Sequence, residues 1–214
     1  GKVMGLAPYG RPAPRFAKII EVAKRKYKIN PKEVRKLGDY ARTNKTITEE
    51  HKNIAATLQT KLEEVAIELA ETLYDVTGVD HLCLAGGVAL NCRMNGKILQ
   101  QDFVKDIYIQ PAANDAGAAL GAALEAYAQL GYRCKTKMEH AYYGPEYPDD
   151  EIRRALEITK LGFEHYGDIA GTAAELISKG RIIGWFQGRM EFGPRALGNR
   201  SVLADPTDSK IGDR

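Results

Sequence analysis

Ile54, Leu58, Leu62, Val65, Leu69, Leu73 and Val76 recur at steps of four and three. That spacing marks one face of an amphipathic helix. Thr48 is placed to cap its start, Glu49 and Glu50 suit the first turn, and Gly78 can end it. The helix should run for roughly seven or eight turns at 3.6 residues per turn. Directly after it comes a short apolar strand, His81-Leu82-Cys83-Leu84-Ala85, which runs into Gly86-Gly87. Residues 88–101 then read as a helix, 106–110 as a second buried strand, Pro111-Ala112-Ala113-Asn114 as a loop, and 115–130 as a small-residue helix. Helix, strand, helix, strand, helix predicts an α/β layer built on a parallel sheet. Phosphate sites in such layers lie where strands end and helices begin.

The flanks read differently. Residues 1–47 are rich in Lys, Arg, Gly and Pro. They open on a Gly/Pro-rich loop, followed by a short basic helical stretch at 16–27 and another helix after Pro31. Beyond Gly131, Tyr142-Tyr143-Gly144-Pro145-Glu146-Tyr147-Pro148 reads as an extended connector. Helices are expected at 149–156 and 168–179, and a strand at 181–187, so a second domain should start between 136 and 150. A chain of 214 residues has room for one large domain or two small ones. Both ends look like cuts through a longer chain, so a fragment is expected.

Composition excludes several classes of function. A hydrophobic fraction of 44% is ordinary for a protein with a real core and argues against disorder. With 31 basic and 28 acidic residues the net charge is +3, so wholesale electrostatic binding of nucleic acid or anionic lipid is not expected. No apolar run approaches the roughly 18 residues needed to span a bilayer, and residues 1–10 hold no secretory segment. Cys83, Cys92 and Cys134 are odd in number and lack metal-ligand spacing, which points to structural thiols in a reducing cytoplasm.

Three motifs can carry chemistry. In Gly86-Gly87-Val88-Ala89-Leu90-Asn91, paired glycines at a strand-to-helix junction let backbone approach a ligand, and the next helix offers free N–H groups. A tight turn chosen for geometry alone would read the same way. In Asn114-Asp115-Ala116-Gly117-Ala118, Asp115 either caps a helix or aims a carboxylate at a metal or phosphate, with Gly117 allowing close approach. Both loops follow successive strands of one sheet and should open on the same edge. The third motif runs from Gln187 to Ser201, with Arg189, Arg195 and Arg200 interleaved with glycines around Glu191 and Pro194. Guanidinium groups recognise phosphate or carboxylate oxygens in pairs, and the competing reading is a set of ordinary surface ion pairs. His51, His81, His140 and His165 show no ligand spacing and read as structural or exposed. Tyr142 and Tyr143 read as packing, and the basic stretch 18–36 as a solvated face.

In this order the motifs resemble the O-carbamoyltransferase family of nodulation-type and antibiotic-tailoring enzymes. The matching stretches are GKVMGLAPYG, LAGGVALNCRMNGKI, PAANDAGAALGAA and GRMEFGPRALGNRSVLADP. The resemblance implies that residues 1–135 are the second half of an actin/Hsp70/sugar-kinase-like transfer domain. Residues 136–149 are then a linker, and 150–214 begin an α+β, YrdC-like domain that forms carbamoyl-adenylate. It implies ATP and carbamoyl phosphate as substrates, a carbamoyl-adenylate intermediate, and a small-molecule hydroxyl as acceptor, with no nucleic acid or membrane partner. Asp115 matches the aspartate that binds the family's metal, usually Fe(II). Gly86, Gly87, Val88, Asn91 and Gly117 match the nucleotide loops, and Arg195 and Arg200 fall among the phosphate-binding arginines of the adenylate-forming domain. The family's two metal-binding histidines match nothing here, which implies weak metal binding and no turnover by these 214 residues alone. The alternatives are an actin-like-fold phosphotransferase acting on a small molecule and a non-catalytic nucleotide-binding module.

Overall fold

Residues 2–9 are helical, not the loop that the glycines and prolines of this stretch predict. Helix α1 (Lys2–Leu6) runs into a 3-10 turn at Ala7–Tyr9, where Pro8 occupies a first-turn position that needs no N–H donor. Packing decides this: both pieces lie along the long helix and bury Ala7. The computed structural model describes residues 1–40, 46–133, 138–208 and 210–213, so Cys134 lies outside the described residues. They form two units, Gly1–Ala118 and Ala119–Arg214.

In the first unit, α2 (Pro14–Ala17) is followed by a hairpin of β1 (Ile20–Ala23) and β2 (Lys26–Ile29). This corrects the helix expected over 16–27. Ile20 and Val22 alternate with outward residues, the period of a half-buried strand. The hairpin docks on the long helix, where the Arg25 N–H donates to Glu68 Oε1 at 2.5 Å and its guanidinium pairs with Asp75 at 3.3 Å. Helix α3 (Pro31–Lys36) follows as expected, its first turn capped by the Asn30 side chain.

Helix α4 (Glu49–Thr77) begins at Thr48 and ends at Gly78, which takes the left-handed φ of 66° that side-chain-bearing residues resist. Thr48 shares a capping box with His51, whose other ring nitrogen bonds the Tyr40 carbonyl at 2.6 Å. The apolar stripe is only partly used. Val65 is buried, but Leu69, Leu73 and Val76 are exposed, and the helix buries Ala55, Ala56, Gln59, Glu63 and Ala70 instead.

Strands β3 (His81–Leu84) and β4 (Asp106–Ile109) pair in parallel, with Leu82 opposite Ile107 and Leu84 opposite Ile109. Leu82, Leu84 and Ile107 pack against the cluster of Ala70 on α4 with Met94 and Ile98 on α5 (Cys92–Leu99). The helix expected over 88–101 is interrupted: a 3-10 turn spans Gly87–Leu90, and α5 starts anew after Asn91. A second 3-10 turn, Asp115–Gly117, leads into α6 (Ala118–Gln129). Among the described residues no helix is long and apolar enough to cross a membrane.

The second unit holds α7 (Asp149–Ile158), α8 (Ile169–Ser178) and an antiparallel pair, β5 (Ile183–Phe186) with β6 (Arg200–Leu203). Asp168 caps α8 by accepting the Gly171 N–H. The extended segment before α7 is stitched to the loop between β5 and β6. Gly144 N–H donates to the Met190 carbonyl, Met190 N–H to that of Pro145, and Phe192 N–H to that of Ala141, at 2.9, 3.0 and 2.6 Å.

Candidate functional site

Because β3 and β4 run in parallel, the loops that follow them leave the same edge of the sheet. A hydrogen bond joins them: the Gly86 N–H donates to the Ala113 carbonyl at 2.7 Å. Gly86 has φ 92°, a backbone that side-chain-bearing residues rarely adopt. Gly87 has no such need, and a Cβ on it would meet nothing within 4 Å. Gly86, Gly87 and Val88 are exposed and only Ala89 of the turn is buried. Open space therefore stands over the glycine pair. A groove of about 430 Å³ between α4 and β3 reaches Ala85, Val88 and Ala89 and is lined mainly by apolar side chains.

On the neighbouring loop Asp115 is exposed at the start of its 3-10 turn, and the side chain of Asn114 at the N-cap caps no N–H there. Beside it the Asn114 Oδ1 is buried without a hydrogen-bond partner. Gly117 is explained by packing, since a Cβ there would overlap the Ala112 carbonyl. Asp115 supplies one carboxylate. Among the described residues no three His, Cys, Asp or Glu side chains gather to hold a metal ion. These residues by themselves do not fit a resident metal, and no chemical step is routed through one.

Asn91 is built in from behind. Its Oδ1 accepts the Met94 N–H at 3.0 Å, capping α5. Its amide also exchanges hydrogen bonds with Gln59 of α4, at 2.8 and 3.2 Å. Gln59 donates further to Glu63 at 2.8 Å, and Arg93 Nε lies 2.9 Å from the same carboxylate. Asn95 Nδ2 holds the Ala89 carbonyl at 2.8 Å. Sequence reasoning passed over Gln59 and Glu63. Their only signal was two polar residues four apart beside the apolar stripe, a pattern that solvated helix faces share.

In the second unit the arginine-rich loop closes where Gln187 N–H donates to the Asn199 carbonyl at 2.9 Å. Its centre is Glu191, whose side chain is fully buried. One carboxylate oxygen accepts the N–H groups of Leu197, Asn199 and Arg200 at 2.7, 2.9 and 3.1 Å. The other accepts from Arg200 Nε at 2.8 Å. Burial pushes this carboxyl up, but the Leu197 N–H, the Arg200 side chain and the other donors outweigh it and hold it at about 2, below the ordinary 4.5. The Arg200 Nη2 reaches the Gly193 and Arg195 carbonyls at 3.0 and 3.3 Å. Arg200 and Glu191 thus make an interior pair, not the surface pair of the competing reading. Arg195 is half-buried, while Arg189 is exposed and 3.7 Å from Glu146. Tyr142 donates to the Leu197 carbonyl at 3.1 Å and stacks on His140, as a packing residue does.

The class is defined by comparison with known proteins. Residues 1–124 match the family model for the carbamoyltransferase N-terminus and residues 174–214 that for the carbamoyltransferase C-terminus. The chain belongs to the carbamoyltransferase family. It is 43% identical to nodulation protein NolNO of Sinorhizobium fredii and 40% identical to nodulation protein NolO of Bradyrhizobium diazoefficiens, in each case over 100% of this chain. It is 30% identical, again over its whole length, to the 3'-hydroxymethylcephem-O-carbamoyltransferase of Streptomyces clavuligerus. It covers 33%, 41% and 40% of these three relatives, so the chain spans about a third to two-fifths of their length.

Proposed function

We propose that this chain carries part of an O-carbamoyltransferase that uses ATP and carbamoyl phosphate. In this reading carbamoyl-adenylate forms with release of pyrophosphate, and its carbamoyl group then passes to a hydroxyl of a small-molecule acceptor. Residues 1–135 belong to an actin/Hsp70/sugar-kinase-like transfer domain and 150–214 to a YrdC-like adenylate-forming domain. The single observation that carries the proposal is the Gly86–Ala113 hydrogen bond. It joins two strand-end loops into one ligand-sized edge beside an exposed carboxylate, in a chain of this family.

The Gly86-Gly87-Val88 backbone holds the nucleotide part of the adenylate, with Asn91 beside it. The absence of a side chain at Gly87 lets phosphate oxygens come close to main-chain N–H donors. Gly117 keeps the second loop tight against Ala112, which sets where Asp115 stands. In the other unit Arg195 neutralises phosphate charge while the mixed anhydride forms. Arg200 acts through the shape of the loop, because its guanidinium is taken up by Glu191 and neighbouring carbonyls.

The test is to incubate the natural-length protein with ATP and carbamoyl phosphate and identify the products. Pyrophosphate supports the proposal. Release of ADP would instead indicate a phosphotransferase, and neither product a binding module.

A further inference from the structure

Gln59 and Glu63 are buried polar residues one turn apart on α4, 2% and 7% exposed. A carboxylate only accepts hydrogen bonds, so the Gln59 atom 2.8 Å from Glu63 Oε1 has to be the NH2 end of its amide. That fixes the other end as the oxygen, which accepts from Asn91 Nδ2 at 2.8 Å. The same Gln59 nitrogen donates to Asn91 Oδ1 at 3.2 Å, and the Met94 N–H donates there too at 3.0 Å. The orientation of the Asn91 amide is therefore dictated from two sides. Its oxygen already takes two donors. Its nitrogen gives one hydrogen to Gln59, and the second meets no acceptor among the described residues. Arg93 sets its charge against Glu63 at 2.9 Å and completes the chain of contacts.

We propose that Gln59 and Glu63 are positioning residues: acting through Asn91, they make the turn at 86–91 present an N–H donor to its ligand. The atom bound there is then an acceptor, such as a ribose, phosphate or acyl oxygen or a ring nitrogen. A ligand offering only a donor at that point is rejected. This inference rests on the reading that the turn holds the nucleotide part of the adenylate. Neither residue touches the ligand; their effect is to remove the flipped Asn91 amide from the population. A bound nucleotide therefore meets a donor already set in place.

AMP titrated calorimetrically into the natural-length protein tests this, with thermal melting followed in parallel. Glu63→Gln keeps the volume but ends the acceptor-only constraint, so the Gln59 amide can turn over and the Asn91 amide is left held by the Met94 N–H alone. Gln59→Met keeps the shape and removes the relay. Each should weaken AMP about tenfold. Because Gln59 acts only through Asn91, the double variant Gln59→Met/Asn91→Ala should bind AMP no more weakly than Asn91→Ala alone. A merely structural role would make the two losses add. Val88→Trp, at an exposed position of the turn, separates the two claims. If it leaves AMP binding unchanged, the nucleotide reading fails and the relay fails with it. If it blocks AMP while Glu63→Gln and Gln59→Met bind like the unaltered protein, the relay alone is overturned. Losses that add in the double variant overturn the relay as well. Glu63→Gln keeps the question answerable should Gln59→Met not fold.

Discussion

Glu191 and Arg200 hold the arginine-rich loop together from within it: the carboxylate accepts both the backbone N–H and the side-chain Nε of the same arginine, at 3.1 and 2.8 Å. The side chain of Glu191 is wholly buried and that of Arg200 is 30% exposed. The carboxyl is held at about 2, against 4.5 ordinarily. A folded-state value below the unfolded one means stability present in full above about 4.5 and lost as the pH falls from there towards 2. Glu191→Gln should lower stability at pH 7 by about 1.5–3 kcal/mol, the range for hydrogen bonds to a charged group. The gap between variant and unaltered protein should close on acidification. Urea titrations at pH 7, 4 and 3 measure it, and a gap that stays constant would contradict the assignment.

Gly86 and Gly87 stand side by side but answer to different constraints. Gly86→Ala forces a side chain onto a φ of 92° with a ψ of 160° and should cost roughly 1–3 kcal/mol. Gly87→Ala meets open space and should stay within about 0.5 kcal/mol while weakening nucleotide binding. Melting temperatures paired with AMP affinities separate the two effects. Equal destabilisation by both would show that Gly87 is a packing residue.

Asp115 is exposed, so Asp115→Ala should leave the melting temperature almost unchanged. Carbamoyl transfer from preformed carbamoyl-adenylate should fall, because the proposed function sets this carboxylate beside the edge where the adenylate is held. Arg195→Ala should do the reverse, cutting adenylate formation and sparing transfer. Pyrophosphate release and carbamate-ester formation, assayed separately on both variants, decide it. Loss of the same half-reaction in both would refute the division of labour between the two units.

Ile98 is 1% exposed, between α4 and the β3–β4 pair. Ile98→Ala should cost about 2–5 kcal/mol, and the 86–91 turn should loosen with it because α5 starts from Asn91. Amide exchange at Ala89 and Asn91, whose N–H groups bond within the turn, should quicken in step with the lost stability.

What the sequence determined by itself were features with a period or a local signal: the long helix from Thr48 to Gly78, the two apolar strands, and the helices after Pro31 and over 168–179. A helical period or a side-chain cap is a local property, so it can be read one residue after another. The order of those strands also placed both glycine-bearing loops on one sheet edge, because two parallel strands must end together. Tertiary structure decided the rest. Residues 2–9 became helical and 20–29 a hairpin where they pack along α4, contacts that outweighed their own propensities. The helix after Gly87 broke at Asn91, whose side chain caps α5 and is at the same time bound by Gln59, thirty-two residues away in sequence. Arg200 looked like Arg195 in the sequence, and only folding turned it inward to Glu191. A buried charge has to find its partner in space, and spacing along the chain carries no record of which partner that is.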